Sequence, residues 1–293
     1  MTGLALAAAL VFSSADAHLA YETARELSEN HSPRDAGTLR CRLAAQYLYD
    51  RINANGPDAK IDKFTAAAPN GSKHFYNIES RYVSHPDNDW IVLMSHYDTK
   101  PGVPSQGAND GASTSGLLVA LCGAVNAQRP DSINVLFLWT DGEESIVAYG
   151  PDDGFWGSRH AAQALKEEKL KISAAVCLDM LGDKNLNITI ARNSAIRLKR
   201  EFAAAARDIG LQDLLKAGKD AVKDDHVAFA ECGFDAIDLI DFEYGSAPGL
   251  NDYWHTPEDT IDKISENSLL KSGRIAMAFL DRANRKAKKR KEK

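Results

Sequence analysis

Asp141-Gly142-Glu143-Glu144 puts three acids in four positions, directly after the apolar run Ile133 to Trp139 and a threonine. A short apolar run rich in β-branched and aromatic residues, bounded by turn residues, suits a strand buried on both faces. Adjacent carboxylates at such a strand end repel each other and are costly to desolvate unless a cation neutralises them. A lone Glu-Glu pair is most simply a solvated acidic loop. Here His96 and Asp98, Asp110, Asp179 and His255 follow the same pattern at other strand ends and loops. Imidazole with carboxylate is a donor set that suits zinc. A catalytic zinc polarises a carbonyl or acidifies bound water, and needs three protein ligands, an open position and one carboxylate free to move protons. Singly, each residue has an ordinary explanation: a hydrogen-bonded histidine, an Asn109-Asp110-Gly111 turn, a helix-capping Asp179. The joint occurrence is what carries meaning.

The elements that must position these groups alternate. Leu19 to Glu29 and Thr38 to Ala54 read as helices, the second with Leu39, Leu43, Tyr47, Leu48 and Ile52 on one face. Strands are expected at Ile61 to Phe64, Phe75 to Tyr82 and Trp90 to Met94, then a small-residue helix over Ser113 to Asn126. Beyond the Ile133 strand, helices are expected at Ser158 to Glu168, Ser194 to Ile209, Lys223 to Glu231 and Glu266 to Asn284. The intervening strands are Ile172 to Leu178, Leu186 to Ala191 and Ala236 to Ile240. Strands alternating with helices predict an α/β fold: one α/β/α sandwich with a mixed, mostly parallel sheet covered on both faces. In such sheets sites form outside the carboxyl ends of the strands.

At 293 residues, 44% hydrophobic and 26% charged, the chain can bury a core without staples. Its net charge is -6, but Arg285 to Lys293 carries +6 and the rest -12. The tail reads as a solvated, frayed end; it is too little to predict a nucleic-acid partner. Cys41, Cys122, Cys177 and Cys232 are far apart and lack zinc-finger spacing; Cys122 and Cys177 look like core thiols, and a disulfide between two of the four stays open. The run Leu4 to Phe12 is too short to span a bilayer, and Ala15-Asp16-Ala17 follows it as an A-x-A-like cleavage site. This predicts a signal peptide over residues 1–17 and an exported protein, although Met1-Thr2-Gly3 lacks the usual basic start. The expected organisation is then a catalytic domain over 18–284 and a basic tail over 285–293, with no membrane span. The oligomeric state is not legible.

The motif series His96-x-Asp98, Asn109-Asp110-Gly111, Asp141-Gly142-Glu143-Glu144, Leu178-Asp179-Met180 and Trp254-His255-Thr256 resembles that of the zinc-dependent aminopeptidase and glutaminyl cyclase superfamily, in the same order from about Phe64 to Leu269. The resemblance implies a phosphorylase/hydrolase-like fold and an enzyme acting on peptides or proteins with a free N-terminus. It implies Asp110, Glu144 and His255 as zinc ligands, with His96 and Asp179 added where a second zinc binds and Asp110 bridges. It implies Glu143 as general base and acid, and Asp98 as the carboxylate that orients His96.

Within the superfamily, the insert Ser145 to Trp156 before Gly157-Ser158-Arg159-His160 is similar to the animal-type cyclases, as are Asn77-Ile78 and Asp224-Asp225-His226. Tyr149 stands where those cyclases carry a tryptophan, and Trp254 is placed to wall a pocket for a short side chain. The expected activity is therefore a one-zinc glutaminyl-peptide cyclotransferase, with Asp225 joining Asp179 and Glu143 in an acid network. The alternative is a two-zinc aminopeptidase in which Glu143 activates water. A catalytically idle peptide-binding relative is the remaining reading, disfavoured because the costly acid cluster is intact.

Overall fold

In the computed structural model, which describes residues 9–292, the two strands singled out by their apolar runs lie side by side at the centre of an eight-stranded sheet. In chain order the elements are α1 (Ser14–Asn30), α2 (Leu39–Asn55), β1 (Ala59–Ala68), β2 (Gly71–Tyr82), β3 (Trp90–His96), α3 (Thr114–Gln128), β4 (Asn134–Thr140) and α4 (Trp156–Glu167). There follow β5 (Ile172–Asp179), β6 (Ile188–Ile190), α5 (Ile196–Asp208), β7 (Leu215–Ala217), α6 (His226–Glu231), β8 (Ala236–Ile240) and α7 (Glu266–Lys291). The strand order is β1-β2-β4-β3-β5-β8-β6-β7. The four central strands β4, β3, β5 and β8 are parallel, while β1, β2 and β6 pair antiparallel beside them.

Side chains alternate across a strand, so each central strand feeds two cores. Ile91 and Leu93 of β3, with Val135, Phe137 and Trp139 of β4, pack under α1, α2, α3 and α7. Trp90, Val92 and Met94, with Leu136 and Leu138, pack under α4 and α6. This is the expected α/β/α sandwich. The connection from β3 to β4 runs through α3 on one face, and that from β4 to β5 through α4 on the other. The crevice at their carboxyl ends is thus a topological switch point, where ligands bind in such folds.

Two expectations change at the edges, and the N-terminal stretch gains a structure. Ahead of His18 the chain is helical: Ser13 caps α1, its hydroxyl accepting from the Asp16 amide while Asp16 accepts from the Ser13 amide (2.7 Å). Phe12 is buried against Gly273, and Ala17 and Ala20 are packed in the core; residues 1–8 of the expected leader lie outside the described residues. The basic tail is not frayed: α7 continues to Lys291, with Arg285 paired to Asp281, Lys286 to Glu201 and Lys288 to Asp131. The three-residue β7 has too little apolar periodicity to be legible, and the helix expected from Lys223 starts at His226. The four cysteines are free thiols. Among the described residues no helix is long and apolar enough to cross a membrane.

Candidate active site

Four strand ends and two turns converge at the switch point. β3 delivers His96, and the chain runs on to Asp98. The turn Ala108–Ser113 delivers Asp110, whose backbone (φ −82°, ψ 97°) leaves helical geometry. The next residue, Gly111, has φ +89°, and a Cβ there would stand 3.1 Å from the His96 ring. Only glycine gives the turn this conformation while letting it approach the imidazole so closely. β4 delivers Glu143 and Glu144, β5 ends in Asp179, and the loop after β8 brings His255 at φ +55°. A left-handed histidine costs about 1–3 kcal/mol; the turn bonds from Thr256 to Tyr253 and from Asp259 to Thr256 hold it.

The donors form two clusters that share Asp110. Asp110 Oδ2 lies 3.3 Å from His255 Nε2, which is 2.7 Å from Glu144 Oε1. Asp110 Oδ1 lies 3.1 Å from His96 Nε2, which is 3.2 Å from Asp179 Oδ1. Asp110 therefore turns one oxygen to each cluster, as a bridging ligand must. Tetrahedral zinc with bonds of about 2.1 Å spaces its donors about 3.4 Å apart, so both clusters fit zinc in donor type and spacing.

The electrostatics call for a cation. Burial works against the charge on Asp110, but hydrogen bonds from His255 and His96 overcome it and hold the carboxyl below its usual range. His255 loses proton affinity through burial and regains more from Asp110 and Glu144, reaching about 9. Burial raises Asp179 to about 6 despite its bond to His96. Glu143 is pushed well up, first by burial and then by the neighbouring charge of Glu144. A carboxylate whose proton affinity is raised, standing beside both donor clusters and in neither, is suited to exchange protons.

Around this centre the wall is built deliberately. The Tyr149 hydroxyl donates to Glu144 Oε2 (2.8 Å) and reaches Glu143 Oε2 (3.2 Å). Its loop is closed by Asp153, whose carboxylate accepts the amides of Ile146, Val147 and Ala148. Arg159 of α4 donates to the carbonyls of Gly150, Pro151 and Gly154. Trp254 stacks on His255 at 3.8 Å between ring centroids. Tyr149, Trp254, Phe242, Ile240 and Val222 enclose a cavity of about 290 Å³ floored by Asp110, Glu143, Glu144 and Asp179.

One expected role is corrected. Asp225 makes no hydrogen bond to Asp179 or Glu143: its carboxylate accepts from Thr140 (2.5 Å) and acts on Glu143 only through its charge, and its neighbour Asp224 lines the cavity. Both acids stand at the irregular entry to α6, where sequence does not reveal which side chain faces inward. Asp224 lies over Cys177 and Asp238, and burial followed by the charge of Asp179 raises it to about 6. Asp98 stands where the expectation puts it, 3.6 Å from His96 Nδ1, a nitrogen with no other partner, and its carboxylate also accepts the Glu143 and Glu144 amides. Asp141 points away from the site, accepting from the Tyr76 amide and the Cys41 thiol.

A profile of peptidase family M28 matches residues 77–280. The chain belongs to peptidase family M28. Among M28-type relatives, it is 27% identical over 261 residues to a glutaminyl-peptide cyclotransferase of Drosophila melanogaster, covering 79% of this chain and 72% of the fly protein. It is 29% identical over 215 residues to aminopeptidase YwaD of Bacillus subtilis, covering 71% of this chain and 43% of that one. The crystal structure of an Acidobacteriales bacterium glutaminyl cyclase superposes with a TM-score of 0.88 at 30% identity, over 98% of this chain and 99% of the other. Every donor of the M28 centre described above lies inside the matched segment.

Proposed function

We infer that this M28 enzyme is a zinc-dependent glutaminyl-peptide cyclotransferase, converting an N-terminal glutamine of a peptide or protein to pyroglutamate with release of ammonia. The observation that carries this reading is the small cavity over the acids: the Ser145–Phe155 insert brings Tyr149 onto Glu143 and Glu144, and Trp254 lines the same cavity. A small, walled chamber suits a compact side chain folded back on its own amine. The similarity to the Acidobacteriales cyclase over nearly the full length supports it.

Asp110, Glu144 and His255 would hold the zinc. When bound, it supplies Lewis acidity toward the γ-amide carbonyl of the glutamine. Glu143, outside both donor clusters and with its proton affinity raised by burial, accepts a proton from the α-amine as that nitrogen bonds to the side-chain amide carbon, Cδ. The C–N bond to the leaving nitrogen then breaks, and Glu143 returns the proton so that ammonia departs. The walls of Tyr149 and Trp254 hold the side chain folded and exclude water, which converts the attack into a positioned intramolecular step. Asp224, over the same cavity, is placed to receive the cationic form of the substrate amine.

The second cluster of His96, Asp110 and Asp179 favours one competing reading, a two-zinc aminopeptidase in which Glu143 activates water. Metal stoichiometry separates them. After removal of metal by chelation, one zinc per chain should restore full ammonia release from a Gln-initiated peptide. A requirement for two would favour the aminopeptidase. Export of the protein remains part of this proposal, resting on the apolar run and A-x-A-like site near the N-terminus.

A further inference from the structure

Arg34, in the segment between α1 and α2, is fully buried, and among the described residues it forms no salt bridge to a carboxylate. A buried guanidinium with no carboxylate bonded to it, helped only through space by the charges of Asp259, Asp110 and Asp98, is expensive, so its hydrogen bonds must be accounted for. All of them go to backbone carbonyls. Nε donates to Tyr97, Nη1 to Gln106 (2.7 Å) and Leu27, and Nη2 to Gly107 (2.6 Å), with the Asp110 carbonyl at 3.5 Å. Its own amide donates to Thr99 Oγ1 (2.9 Å). Tyr97 stands between His96 and Asp98, and Gly107 opens the turn that bears Asp110. One planar, rigid fork thus ties the exit of β3 to the Asp110 turn. Gly107 accommodates it: at φ +55°, a Cβ there would meet Thr99 at 2.5 Å and Arg34 Nη2 at 2.9 Å.

Asp259 does the converse from the other side. It is fully buried, four residues after His255. Oδ1 accepts the Asn109 amide (2.8 Å) and the Tyr244 hydroxyl (2.6 Å), and Oδ2 accepts the Asp110 amide (3.2 Å). It therefore ties the His255 loop to the same turn. The bonds are charge-assisted, the stronger class of hydrogen bond.

We propose that Arg34 and Asp259 are positioning residues of the metal site, a buried cation and a buried anion that grip the Asp110 turn through its carbonyls and its amides respectively and set its distance from His96 and His255. The inference rests on the reading above that Asp110 and His255 hold zinc. Neither residue touches the cavity; each acts through the backbone of the ligands.

The test is zinc affinity of the full-length protein, measured by competition with a chromophoric chelator, beside melting temperatures with and without zinc. Arg34→Lys keeps the charge but not the fork; Asp259→Asn keeps the shape but turns one oxygen into a donor facing a donor. Each should weaken zinc binding about 10- to 100-fold and shrink the rise in melting temperature that zinc produces. Should either fail to fold, Tyr244→Phe decides: it removes one donor to Asp259, keeps the core filled, and should weaken zinc binding about threefold or more. Zinc affinity within twofold of wild type, with both melting temperatures lowered equally, would overturn the proposal and leave these residues merely structural. Failure of the underlying reading looks different: wild-type protein would not bind zinc, or His255→Ala would bind it unchanged.

Discussion

The carboxylate of Asp98 accepts the backbone amides of both Glu143 and Glu144, at 3.1 and 3.2 Å. The exit of one central strand thereby fixes Glu143 and Glu144, the proposed base and a proposed zinc ligand, on its neighbour. Asp98→Asn must present an amide nitrogen to one of those two donors. It should lower kcat/KM about 10- to 100-fold and weaken zinc binding while the fold persists. Steady-state kinetics beside circular dichroism check this; wild-type kinetics in a folded variant would remove Asp98 from the positioning of the pair.

Glu143 moves protons in this account and does not bind metal. Glu143→Gln keeps the shape and loses the base, so turnover should fall about 10²- to 10⁴-fold with zinc content unchanged. Metal analysis of the purified variant alongside its rate separates the two roles. A variant that turns over normally takes Glu143 out of the chemistry, and one that loses zinc makes it a ligand.

His226, beside Asp225 at the start of α6, has no hydrogen-bond partner on either ring nitrogen, and burial lowers its pKa from 6.5 to about 4. The folded state therefore binds this proton less well than the unfolded chain. The stability held by the neutral ring is complete above about pH 6.5 and lost as pH falls toward 4, in total about 3 kcal/mol. Urea unfolding at pH 7 and pH 4.5 should show wild type losing about 2–3 kcal/mol more than His226→Leu. Parallel losses in the two proteins would mean that the histidine is solvated or partnered.

Phe12 packs against Gly273 ahead of the Ser13 cap, within the stretch whose sequence resembles a leader. Phe12→Ala should cost about 3 kcal/mol or more, seen as a lower urea midpoint with an unchanged slope. The comparison is made on the uncleaved chain; an unaltered midpoint there would mean that the residues before α1 contribute nothing to the fold.

Most of the candidate site's convergence is legible because its residues share a location rule. His96, Glu143, Glu144 and Asp179 each follow a short apolar run that only a buried strand explains, so their convergence follows from topology. Asp110 and His255 were legible from donor type and motif. Arg34 and Asp259 were not: a single arginine or aspartate in a loop is normally solvated, and the bonds that tie them to the β3 exit and the Asp110 turn go to backbone groups 63 to 150 residues away. The exchange of Asp225 for Asp224 depends on one irregular turn, which periodicity does not resolve. Ser13 and Asp16 were legible as a capping pair in retrospect, but the A-x-A pattern overlapping them competed for the same residues.

The central claim is that Glu143 and the zinc ligands cyclise glutamine rather than hydrolyse a peptide bond. The most direct measurement is mass spectrometry of a Gln-initiated and a Leu-initiated peptide incubated together with the zinc-loaded protein. The account predicts loss of one ammonia from the first peptide and no change in the second. Release of a free N-terminal residue from either peptide would contradict it and make the chain an aminopeptidase.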